Sequence, residues 1–119
     1  MEKTALLIID AQQEYFAPTG KLPLPDGAKA VERIRQALEW ARKRAVPVFH
    51  IVHESRRPNP TIFAPGSPGL AIHPAVAPAP GEPVIQKHLP GSFTGTPLEA
   101  ELRQRGIERV IVSGFMTQR

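Results

Sequence analysis

Two residues at the ends of apolar runs carry the chemistry this sequence can offer. Asp10 closes the run "TALLII" (Thr4–Ile9), and Lys87 closes "PVIQK" (83–87). A carboxylate and an ammonium brought together in a cleft shift each other's titration and can hold a base ready for a nucleophile. A third candidate is the turn "SGFMTQ" at the end of "RVIVSG". Its hydroxyls, Ser113 and Thr117, need an activating histidine to attack a substrate, and no sequence signal supplies one. Cysteine is absent, which removes disulfides, thiolate metal sites and a thiol nucleophile from these 119 residues.

The elements that must position these groups can be read from periodicity. The run Thr4–Ile9 is continuously apolar and branched, as in a parallel strand buried on both faces. From Gly27 onward Ala30, Val31, Ile34, Ala37, Leu38, Ala41 and Ala45 recur at three- and four-residue spacing among Arg, Glu and Lys, which predicts an amphipathic helix over 27–44. Asp26 is placed to cap its start, and Val46-Pro47 follows its end. "PVFHIVH" (47–53) is the next strand, so strand, helix and strand form a right-handed crossover. Segment 54–83 holds eight of the 14 prolines and shows neither period. A loop of that length in a compact domain is a functional cover, a partner contact or a disordered segment. A short strand at 83–87 leads to "TPLEAELRQRG", where Thr96 reads as the N-cap, Pro97 as the first helical residue, Glu99 as the capping-box acid and Gly106 as the stop. Arg109–Gly114 is the fourth strand. The β-α-β-loop-β-α-β order predicts an α/β protein, Rossmann-like, with a parallel sheet between two helical layers, in one domain over 1–119. Ligands of such sheets sit beyond the carboxyl ends of the strands, where Asp10, Lys87 and the "SGFMTQ" turn all fall.

Composition sets the outer limits. With 41% hydrophobic and 22% charged residues, the chain has the balance of a soluble globular protein, and no apolar run reaches the roughly 18–20 residues that span a bilayer. The start "MEKTALLIID" lacks a secretory pattern, so the expected location is the cytoplasm, with no membrane partner. The net charge of +4 resides largely on the first helix, and only 6% of residues are aromatic. A solvated helix face accounts for that charge, and nucleic acid is not an expected partner.

In order and spacing, "ALLIIDAQQEYF", "VPVFHIVHES" and "EPVIQKHLPGSFTGTPLEAELRQRGIERVIVSGFMTQ" resemble the isochorismatase-like cysteine hydrolases, a family that includes nicotinamidases and N-carbamoylsarcosine amidase. The resemblance covers essentially the whole chain. It rests on the Asp after the first strand, the "SFTGTPL" stretch behind Lys87, and the Gly-aromatic-Met-Thr turn. It implies hydrolysis of a small amide or related metabolite by an Asp, Lys and Cys triad without a cofactor, and a homo-oligomer at full length. Asp10 then matches the general base and Lys87 the triad lysine, while backbone N–H groups of the Phe115-Met116 turn match the oxyanion site. The family's cysteine lies just beyond this turn and has no match here; its usual histidine is Gln118. On this resemblance the chain is about the first two thirds of the fold, stopping short of the nucleophile helix, and is expected to be inactive alone. An unpaired edge and exposed apolar surface are expected at the fourth strand.

Other residues admit plainer roles. Phe16, His53, Phe63 and Phe93 are candidates to line a substrate pocket, although core packing explains an aromatic equally well. Strand alternation places His50 and His53 on opposite faces, against a joint metal site, and no metal is expected. His88 has an exposed-residue reading, and Trp40 a packing or subunit-interface one. Two further alternatives stand beside the hydrolase: a binding module or pseudoenzyme keeping Asp10 and Lys87 without a nucleophile, and a decayed fragment.

Overall fold

The computed structural model describes residues 3–16, 19–21, 23–88 and 96–115. Four strands, β1 (Thr4–Ile9), β2 (Val48–His53), β3 (Val84–Lys87) and β4 (Arg109–Gly114), form one parallel sheet in the order β3-β2-β1-β4. Helix α1 (Gly27–Lys43) joins β1 to β2, and α2 (Leu98–Gln104) precedes β4. The chain steps outward from β1 to β3 and then returns to the far side of β1. Strand order therefore reverses between β1 and β4, the place where open α/β sheets leave a crevice.

Period-two alternation divides the core between the two faces. Leu6 and Ile8 of β1 pack with Val48 and the α1 stripe Val31, Ile34, Leu38 and Ala41. Ala5 and Leu7 point the other way, with Phe49, Ile51 and Ile85, onto Leu98 and Leu102 of α2. Burial of each large apolar side chain contributes about 1.5–3 kcal/mol. Because β1 supplies both clusters, it ties the two layers together.

The helix ends differ in sequence but not in geometry. At α2, Gly106 takes φ +70° and Ile107 N–H bonds Leu102 O at 2.9 Å. At α1, Ala45 takes φ +56° and Val46 N–H bonds Ala41 O at 2.9 Å. Both are left-handed closures with a bond spanning five residues, and Ala45 adopts it against the steric cost of its methyl group. Asp26 holds the expected position at the start of α1, but its side chain makes no capping bond. At α2 the Thr96 hydroxyl accepts Leu98 N–H at 3.4 Å, and the Glu99 carboxylate pairs with Arg103 one turn on.

Segment 54–83 packs onto the sheet's α1 side. It contains two short 3-10 turns, Pro68–Leu70 and Pro74–Val76, and buries Phe63 and Val76 in the α1-side core. The opposite flank is barer: among the described residues β4 pairs with β1 alone, and Val110, Ile111 and Val112 are 40–50% exposed.

Candidate functional site

Asp10 is the first residue beyond β1 and is fully buried. Its N–H bonds Ile51 O at 2.8 Å, and its φ of +57° turns the chain sharply at the strand's end. A left-handed aspartate is uncommon, and such strain collects at functional sites. Lys87 lies two strands away, at the carboxyl end of β3. Two strand spacings are about 9.5 Å, a gap that the lysine and aspartate side chains close from both sides. Lys87 Nζ reaches Asp10 Oδ2 at 3.3 Å, with both side chains buried. The sheet thus converts the sequence separation of these two groups into an internal ion pair.

The end of β4 completes this corner. Gly114 stands opposite Ile9 in the ladder, and Phe115 N–H bonds Ile9 O at 2.8 Å. A Cβ at Gly114 would lie 2.1 Å from Ile9 O, and φ is +123°, so only glycine lets the two strand ends approach. Met116 and Phe93, with Thr117 and Gln118, lie outside the described residues.

Aromatic rings fill the space behind the corner. Phe115 lies 5.0 Å from Tyr15 and 5.4 Å from Phe16, centroid to centroid, and Phe63 meets Tyr15 and His53 edge-on at 5.6 and 5.0 Å. Phe16 also packs against His73, within the α1-side cluster. His53 is buried and pairs with Lys87 in the β2–β3 register, so its ring stands beside the ion pair's strand end. His88 is half-buried rather than simply exposed. Its Nε2 accepts from Arg56 at 2.8 Å, so its Nδ1 carries the proton donated to Glu54 O at 3.0 Å.

Two buried polar residues that sequence reading passes over hold the loop on this corner. Gln12 uses its whole amide: Nε2 donates to His53 O and Leu70 O at 2.9 and 3.0 Å, and Oε1 accepts His53 N–H at 2.8 Å. Glu14 accepts N–H bonds from Lys21 and Phe63. Their partners lie as much as 58 residues away, so no local pattern reveals them. The one available signal is the polar run "QQE" set between an apolar strand and two aromatics.

A second charged cluster lies toward the other end of the sheet. His50, on the middle of β2, meets Glu82 at 2.8 Å, and Glu82 receives two 2.8 Å bonds from Arg42 and one of 2.9 Å from Ala79 N–H. Burial favours protonated Glu82, but the bonds from Arg42, Ala79 and His50 prevail and pull its carboxyl down to about 2. Burial pushes the His50 imidazole below its usual range despite Glu82. His50 and His53 face different partners, as alternation requires. Among the described residues no group of three or more His, Asp or Glu is placed to hold a metal, and no helix is long and apolar enough to cross a membrane.

Comparison with known proteins places the sequence and the fold in a family. Residues 4–119 fit the family model described as "Isochorismatase domain". A curated relative, the uncharacterized isochorismatase family protein YddQ of Bacillus subtilis, is 39% identical over 114 residues, covering 96% of this chain and 63% of its own length. Maleamate amidohydrolase of Pseudomonas putida is 33% identical, with 97% of this chain and 60% of the relative covered. Among solved structures, a putative isochorismatase hydrolase from Oleispira antarctica superposes with a TM-score of 0.88 at 37% identity, over 97% of this chain and 62% of that one. The chain thus spans about three fifths of the length of these relatives. By its sequence from Thr4 onward and by its fold, the chain belongs to the isochorismatase family.

Proposed function

We propose that this chain is the Asp- and Lys-bearing part of a cysteine hydrolase that cleaves a small amide. The observation that carries the reading is the buried Asp10–Lys87 contact at the strand-order reversal, beside the turn that Gly114 opens. The amidohydrolase relative supports a C–N bond as the target. The 119 residues hold no cysteine, so the reading requires a nucleophile from outside them.

The chemistry follows from the positions. Asp10 accepts the thiol proton while Lys87 holds the carboxylate in place and keeps the pocket electropositive for the thiolate. The thiolate adds to the substrate carbonyl, and backbone N–H groups around Phe115 and Met116 take the charge that develops on oxygen. The C–N bond then breaks, the amine leaves with the proton held by Asp10, and water releases the acid from the thioester. His53 and the aromatic rings of Phe16 and Phe63 form the apolar wall in this reading.

The test is release of ammonia from a panel of small primary amides by the protein isolated from its source, with its intact mass measured in parallel. Turnover, with a mass above the 13.0 kDa of this chain, is expected. Turnover by the 119-residue chain alone would overturn the cysteine mechanism. The absent cysteine favours one second reading, a binding module that retains the cleft; for it, ammonia release stays at background while a small amide still raises the melting temperature.

A further inference from the structure

Glu14 is buried, yet the proposed reaction gives it no task. Its carboxylate accepts Lys21 N–H at 2.9 Å and Phe63 N–H, from residues 7 and 49 positions along the chain. It also lies directly over Gly69, where a Cβ would come within 2.5 Å of Oε1. One carboxylate therefore fastens two stretches of chain, at Lys21 and Phe63, and packs against a third at Gly69. Phe63 is the informative member. It is fully buried at φ +52°, a left-handed conformation that a bulky residue keeps only when its surroundings enforce it. The charge-assisted bond from its N–H to Glu14 supplies that enforcement. The ring so placed meets His53, whose strand neighbour is Lys87.

The structure assigns to Glu14 the role of a positioning residue: it holds Phe63 against His53 and so sets the apolar wall beside the Asp10–Lys87 pair, tuning substrate affinity rather than the chemical step. This rests on the hydrolase reading above. Glu14→Gln keeps size and shape but replaces one of two acceptors with an NH2 that opposes a backbone N–H. In the full natural protein, hydrogen exchange at the Phe63 and Lys21 amides is expected to quicken about tenfold or more, while Leu7 and Phe49 in the sheet stay as slow as before. KM for a small amide is expected to rise about tenfold with kcat held within about twofold. Phe63→Leu should reproduce the KM rise with Lys21 exchange unchanged, and it carries the affinity test if Glu14→Gln does not fold. Uniform acceleration of all amides would reduce Glu14 to a stability residue and overturn the assignment. So would an unchanged KM in both variants, or a loss confined to kcat. A wild type without amidase activity would bring down the hydrolase reading, while the exchange pattern still decides whether Glu14 holds Phe63.

Discussion

The sheet carries a charged cluster toward each end, and the two are built differently. Toward the amino end, Glu82 collects Arg42, His50 and the Ala79 N–H, clasping α1 and β2 to the chain that enters β3. At the carboxyl end, Asp10 meets Lys87 at 3.3 Å on a strained backbone, next to the crevice between β1 and β4. A cluster of paired charges alone thus does not identify chemistry. The position along parallel strands does, because only the carboxyl ends open onto the point of strand reversal. The first cluster is read as structural and the second as functional.

The sharpest way to break this contrast is Asp10→Asn in the active protein. Loss of the general base is expected to lower kcat by about 10²–10⁴-fold, measured by ammonia release. Gly114→Ala tests the close approach of β4 to β1 and should cost upward of about 3 kcal/mol in a denaturant titration, because the methyl meets the Ile9 backbone. Glu82→Gln should cost about 1–2 kcal/mol, since one of the two acceptors becomes an NH2 and the charged, bidentate bond from Arg42 is lost, with kcat unaffected.

Acid separates the same cluster without mutation. The folded state holds Glu82 near 2, below the ordinary carboxylate value of 4.5, so its contribution is complete above about 4.5 and lost as pH falls toward 2. His50 is also lowered in the folded state, so the unfolded chain binds its proton first and stability begins to fall below about 6.5. Melting temperature should therefore decline from mildly acid pH downward, and Glu82→Gln should flatten the lower part of that decline. Smallest in size, Ala45→Gly should raise stability by about 0.5–1 kcal/mol by relieving the left-handed closure of α1.

Much of this was legible in the residues. The apolar runs gave β1 and β4 their observed bounds, and the α1 stripe missed by one residue at its carboxyl end. Asp10 and Lys87 stood out because each closes a strand. The order β3-β2-β1-β4 was not legible, since nothing local states where a returning strand pairs. Gln12 and Glu14 escaped for a related reason: polar residues after a strand look like turn residues until their distant partners are known. Asp26 shows the reverse error, a capping residue in the right place whose side chain does not cap.

The most direct test removes both charges of the proposed centre together, as Asp10→Asn/Lys87→Met in the natural protein, and follows amide turnover and melting temperature side by side. A functional pair predicts turnover lost by at least about 10²-fold with the melting temperature equal or higher, because no unpartnered charge is left buried. Retained turnover, or a wild type without any, would contradict the account.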